Sequence, residues 1–210
     1  MLKRISAIAV AGGAIALTMG LASPSFATTA KTWTVHPGGA ITGKAGKTTL
    51  TDTTTGTVLT CKSSTTAATL KSGSGLAGAA IASVTSVKFA TCTGPLSITF
   101  TVTSNNLPWN LNAVSYTASS GVTHGTLTGI DATLSGPGCS ATVDGTAAGA
   151  HNGSVKGTYT NSTHKLKILP TGGTLHIYNV SGCFGLIANG DASGFAGTYT
   201  ITPAQTITSP

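Results

Sequence analysis

Leu96-Ser97-Ile98-Thr99-Phe100-Thr101-Val102-Thr103 alternates apolar and hydroxyl side chains without a break, and Thr198-Tyr199-Thr200-Ile201-Thr202 does the same near the C-terminus. A period of two places the apolar set on one face and the Ser/Thr set on the other. That is the pattern of an antiparallel strand with one side on a core and one in water. Outward from these stretches, the same mixture of Thr, Val, Ile and Gly predicts strands near 48–51, 57–61, 81–91, 112–118, 123–134, 139–143, 154–160, 165–169 and 174–181. Between them lie turn formers such as Pro37-Gly38-Gly39, Asp52 to Gly56, Ser72 to Gly75, Gly136-Pro137-Gly138, Asp144-Gly145 and Asn189-Gly190-Asp191. Gly129 interrupts the alternation between Leu127 and Ile130, as a bulge would. The one helix-tolerant run, Gly75 to Ala82, fits a tight crossover equally well. The expected fold is all-β: an antiparallel β-sandwich or partly closed barrel of short Thr/Gly-rich strands.

Composition narrows the function classes. The chain has 210 residues, 40 of them Thr and 28 Gly, and only 7% are charged, against about 25% in ordinary soluble domains. Residues 1–27 read as a secretory signal peptide: Lys3 and Arg4 form the basic start, Ile5 to Leu21 is an uncharged apolar run, and Ser25-Phe26-Ala27 supplies small residues at −3 and −1. The expected mature chain, 28–210, is one disulfide-stabilised β domain with nine Lys, no Arg, four Asp and no Glu, a net charge of +5. That excludes a coiled coil and an arginine-built polyanion binder, and it leaves little material for acid–base catalysis. No second apolar run follows, so no transmembrane segment is expected after signal removal.

Export accounts for the cysteines. Cys61, Cys92, Cys139 and Cys183 all fall in the mature part, an even number for an oxidising compartment. Their spacing matches no zinc or CxxC pattern. Four cysteines allow three pairings. A faint internal repeat chooses among them: Val87-Lys88-Phe89-Ala90-Thr91-Cys92-Thr93-Gly94 aligns with Tyr178-Asn179-Val180-Ser181-Gly182-Cys183-Phe184-Gly185, and each is followed by an aromatic-Thr-aliphatic-Thr strand. Two related halves, each with its own bridge, imply Cys61–Cys92 and Cys139–Cys183. Each bridge would contribute about 3.5–4 kcal/mol in the chain-entropy model.

The residues that could carry chemistry fall mostly in turns and cores. Gly-x-Ser-x-Gly, phosphate-loop and HExxH motifs do not occur, so no catalytic residue, metal or cofactor is assigned and the chain is read as non-enzymatic. Asp52, Asp144 and Asp191 stand in turn contexts, and Asn189 to Ser193 reads as a turn in preference to a calcium loop. The alternative, a secreted hydrolase, would use Asp131 with a loop partner, or a loop serine with His124 and Asp131. His36, His151, His164 and His176 read as surface or structurally paired histidines. Trp109 and Trp33 are the candidate ligand-contacting residues, by stacking on a sugar ring, with a core role the competing reading. The dispersed lysines argue against nucleic acid and leave a cell-wall polymer or glycan as the candidate partner. Thr ladders lack the fixed period of an ice-binding coil, and 5% aromatics do not supply the girdles of a membrane barrel.

The Ala-rich leader, Trp33 with Pro37-Gly38-Gly39, Cys61, Phe89 with Cys92-Thr93-Gly94-Pro95, Pro108-Trp109, Cys139 with Val143-Asp144-Gly145, Gly182-Cys183-Phe184-Gly185, Gly190-Asp191 and the Thr-Tyr-Thr tail together resemble a broad group of exported actinobacterial two-disulfide β-rich proteins of unassigned activity. The resemblance spans nearly the whole mature chain and implies a secreted β-rich protein. It carries over no catalytic residue or ligand. The expectation is a secreted or envelope-associated binding or structural protein.

Overall fold

The computed structural model describes residues 31–210; the segment expected to be a signal peptide, 1–27, lies outside the described residues. Eight strands close into an antiparallel barrel. In spatial order they are β2 (Gly39–Ala45), β4 (Val58–Leu70), β6 (Ala82–Thr93), β8 (Trp109–Thr117), β9 (Val122–Ile130), β12 (Gly153–Thr160), β13 (Lys165–Ile168) and β15 (Ser193–Thr202), which returns to β2. β3 (Thr48–Asp52) pairs with both β4 and β15. From the outer half of β6 a wing runs through β7 (Thr99–Ser104), β10 (Ala132–Gly136), β11 (Cys139–Asp144) and β14 (His176–Gly182). A separate three-stranded sheet joins β1 (Thr32–His36) to β5 (Gly73–Ala77) and β16 (Thr206–Thr208).

Alternation writes the barrel's two surfaces. Along β15, Tyr199 and Ile201 are buried while Thr198, Thr200 and Thr202 are exposed, as the sequence predicts. Along β12, Val155, Gly157 and Tyr159 point to the interior side and Lys156 is exposed. Lys44, Lys62, Lys88, Lys165 and Lys167 are exposed on the outer wall too. Water-facing threonine and lysine outside and aliphatic side chains inside are the reverse of a membrane barrel, whose outer band is apolar. No helix among the described residues is long and apolar enough to cross a membrane.

Several local readings change. Leu96 and Ser97 do not begin the strand: Pro95–Ser97 forms a 3-10 turn in which Leu96 has φ 56° and stands 80% exposed, so pairing starts at Thr99. The stretch 123–134 is two strands broken at Asp131. Gly129, at φ 84°, is skipped in the pairing of β9 with β12, the bulge its sequence position implies. β4 extends well past 61, because Ser64, Thr66, Ala68 and Leu70 alternate inward with few large side chains to announce them. Ser72 to Gly75 reads as a turn yet contributes to β5, an exposed edge strand paired only with β1.

Both disulfides are local: Cys61–Cys92 and Cys139–Cys183, with Cα–Cα distances of 3.8 and 4.1 Å. Two disulfides point to an oxidising compartment. A 3-10 turn with a left-handed large residue accompanies each: Pro95–Ser97 with Leu96 follows Cys92, and Cys183–Gly185 with Phe184 begins at Cys183 itself. The parallel stops there. Cys61 lies directly opposite Cys92 in the barrel wall, whereas Cys139 lies opposite Gly182 at the end of the wing.

Candidate functional site

The barrel interior contains a cavity of about 160 Å³. Its walls come from inward positions of the eight strands, Val84, Leu111, Leu127, Ile168 and Ile201 among them, and from β3, β10 and β11 through Thr48, Leu50, Leu134 and Val143. Three inward positions are glycine, Gly43, Gly125 and Gly157. At Gly43 a Cβ would come within 2.6 Å of Thr66 Cγ2, so the absent side chain is what lets β2 and β4 meet across their ladder. Alanines at 68, 82, 113 and 132 leave further space. Phe89 and Phe195 meet edge to face, ring centres 5.8 Å apart, and both line the cavity. The tail lines it too, through Gln205 and Ile207.

The polar groups in this lining are almost all paired within the protein. The Tyr159 hydroxyl donates to the Gln205 carbonyl at 2.9 Å, and the Gln205 side-chain oxygen accepts from the Gly38 amide at 2.8 Å. Tyr199 and Ser64 hydroxyls share a buried hydrogen bond of 2.9 Å. Thr123 donates to the Ile207 carbonyl, Thr66 to the Ser86 carbonyl, and Asn112 accepts from the Ala80 amide. Burial pushes the phenols of Tyr199 and Tyr159 above their ordinary pKa, and their hydrogen bonds to Ser64 and Gln205 pull the other way. Thr48 is the exception. It is 1% exposed, it lines the cavity, and its hydroxyl has no partner among the described residues. Buried polar groups ordinarily find a partner, and this one has none among the described residues.

Both tryptophans are interior. Trp33 is 1% exposed under the small sheet, and Trp109 is 4% exposed and lines the cavity, its indole N–H donating to the Asn105 carbonyl at 2.9 Å. Neither presents a ring face to solvent for sugar stacking; Trp109 is placed to touch a molecule inside the barrel.

Asp131 has a histidine beside it, and the histidine is His151. Its Nδ1 lies 2.7 Å from Asp131 Oδ2 and 3.9 Å from Asp144 Oδ2. His124, the partner considered from sequence, is exposed on the outer face of β9. Asp131, buried at the β9–β10 break, also accepts from the side-chain amides of Asn105 and Asn106. Asp144 accepts the backbone N–H groups of Gly145, His151 and Asn152. These bonds fasten the 144–152 loop to the Asn105-Asn106 loop. Among the described residues, the His151 ring hydrogen-bonds to Asp131 and Asn106 and to no hydroxyl. The signal for this corner was present as Asp144-Gly145 and His151-Asn152-Gly153, but nothing in the spacing ties that loop to Asp131.

The remaining turn aspartates act locally. Asp52 Oδ1 accepts the amides of Thr54 and Thr55, and Asp191 Oδ2 accepts that of Ala188. His36 is exposed, and His176 Nδ1 lies 3.0 Å from the Thr174 carbonyl.

No protein-family model matches the chain, and no curated protein or solved structure matches it either.

Proposed function

We propose that the chain is a secreted, non-catalytic binding protein that holds a small, neutral, mainly apolar molecule inside its barrel, in the medium or at the cell envelope. The carrying observation is the cavity itself: about 160 Å³ with aliphatic and aromatic walls and one unpaired hydroxyl at Thr48. Eight-stranded barrels have an interior that either fills with side chains or holds one small ligand. An apolar cavity of about 150 Å³ stays dry and takes up benzene, so a single ring or a short alkyl chain is the right size. The outward lysines favour residence near anionic wall polymers.

Titration of the purified protein with toluene and benzyl alcohol, followed by amide NMR, tests the reading. Saturable shifts clustered on Val84, Leu111, Ile168 and Ile201 are expected; shifts for neither compound would refute it. The contact of Asp131 with His151 favours a second reading, a hydrolase built on that pair. It requires p-nitrophenyl ester hydrolysis that His151→Ala abolishes, and a rate unchanged in that variant would remove it.

A further inference from the structure

Two unrelated anomalies meet in a smaller pocket outside the barrel. Between the wing and β3 lies an apolar space of about 50 Å³, walled by Leu59, Phe100, Leu134 and Ile177 among others. Asp52 lines it. This aspartate is 2% exposed, and its Oδ2 has no hydrogen-bond partner among the described residues. Its other oxygen is spent on the Thr54 and Thr55 amides, which supply no countercharge. The ion pairs found among the described residues involve His151, Asp131 and Asp144, and none reaches Asp52. A buried carboxylate is costly unless it is paired and hydrogen-bonded.

The second anomaly is Phe184. It lines the same pocket, yet it is 66% exposed and sits at φ 54°, a backbone region that non-glycine residues seldom occupy. Such strain persists where the surroundings enforce it and collects at binding sites. Here the disulfide to Cys139 and the hydrogen bond from the Cys183 amide to the Gly138 carbonyl hold the turn. An exposed aromatic ring at the rim of an apolar pocket with an unpaired carboxylate suits a cation that carries hydrocarbon: Asp52 Oδ2 accepts an N–H, the walls take the chain, and the ring covers its outer end. A calcium or magnesium ion, which needs six or more oxygen ligands, does not suit apolar walls with one carboxylate.

We infer that this pocket binds a primary alkylammonium group, with Asp52 as its counter-ion and Phe184 at its rim. The pocket adjoins the barrel cavity, with Leu50, Leu59 and Leu134 lining both, but its unpaired polar group is its own. The group can arrive as a free amine or as a lysine side chain of a peptide, and the volume admits only the ammonium with a few methylenes.

The test is NMR titration of the purified protein with n-butylammonium, n-butanol and Nα-acetyl-lysine methylamide. Butylammonium is expected to bind saturably and shift the Thr54, Thr55 and Phe184 amides, with n-butanol at least tenfold weaker. Tighter binding of the lysine derivative assigns the site to peptide lysine, and weaker binding assigns it to free amines. Asp52→Asn retains an oxygen for the two turn amides and removes the charge; it should weaken butylammonium at least tenfold, and Phe184→Ala severalfold. Without ligand, Asp52→Asn should melt no lower than the native protein, which keeps the result readable apart from folding. Equal affinity for butanol and butylammonium, equal affinity in the Asp52→Asn protein, or no saturable butylammonium binding would overturn the inference.

Discussion

The two cavities differ in the polar group each leaves unpaired. The barrel cavity, about 160 Å³, is built from many strands and, among the described residues, leaves a neutral hydroxyl, Thr48, without a partner; the wing pocket, about 50 Å³, leaves a carboxylate oxygen, Asp52. An unmade hydrogen bond to a buried neutral group costs about 1–3 kcal/mol, and an unpaired charge costs more. The barrel is therefore complementary to a neutral guest and the pocket to a cation. Each cavity also borders its own disulfide: Cys61 lines the barrel cavity, and Cys139 and Cys183 line the pocket.

Removing the disulfides is the strongest way to separate the two. The bridges span 31 and 44 residues, so each double Cys→Ala change should cost about 4 kcal/mol in denaturant titration. Their binding effects should diverge. Loss of Cys139–Cys183 releases the Phe184 turn and weakens butylammonium while leaving toluene binding in the barrel, and loss of Cys61–Cys92 is expected to act mainly on the barrel. Identical losses at both cavities in both variants would show that the two are not separate sites.

Filling comes next. Ala68, 6% exposed, lines the barrel cavity, and Ala68→Leu should abolish toluene binding at a stability change within about 1–3 kcal/mol, with butylammonium unaffected. His151→Ala tests a region that belongs to neither cavity. It removes a donor from buried Asp131 and should cost about 1–2 kcal/mol, with no change in toluene or butylammonium affinity.

Alkaline pH, combined with substitution, probes the two buried barrel tyrosines. The folded-state pKa values of Tyr199 and Tyr159 are raised from 10.0 by burial, so the unfolded chain ionises first. The stability they contribute is complete below pH 10 and declines as pH rises towards the folded values. Tyr199→Phe should flatten that decline in urea titrations above pH 10; an unchanged slope would contradict the burial of its phenol. The smallest effect is at Thr48. Thr48→Val removes an unpaired buried hydroxyl, so it should leave stability level or raise it by about 1 kcal/mol while erasing any preference for benzyl alcohol over toluene.

Much of the fold was legible because alternation carried it. Thr198 to Thr202, the strands near 139–143 and 154–160, and the Gly129 bulge each follow from side-chain size and period. The cysteine pairing followed from the repeat around Cys92 and Cys183. Strands with small inward residues were not legible: the far half of β4, whose inward set is Ser64, Thr66, Ala68 and Leu70, and β2, with glycine at two of its seven positions. Leu96 misled, since its alternation continues into a turn that holds it in solvent. The sites were least legible. Whether Thr48 and Asp52 find partners depends on strands far away in the chain, and no local spacing records a missing hydrogen bond. The pairing of Asp131 with His151 likewise depends on where the 144–152 loop lies relative to the β9–β10 break.

The proposed function requires room for a small apolar guest inside the barrel. Xenon binds dry apolar cavities of this size, so a crystal of the protein under xenon pressure gives the most direct test. Xenon is expected inside the barrel, in contact with Val84, Leu111, Ile168 and Ile201, and displaced in Ala68→Leu crystals. A barrel interior without xenon, filled by its own side chains at the same pressure, would contradict it.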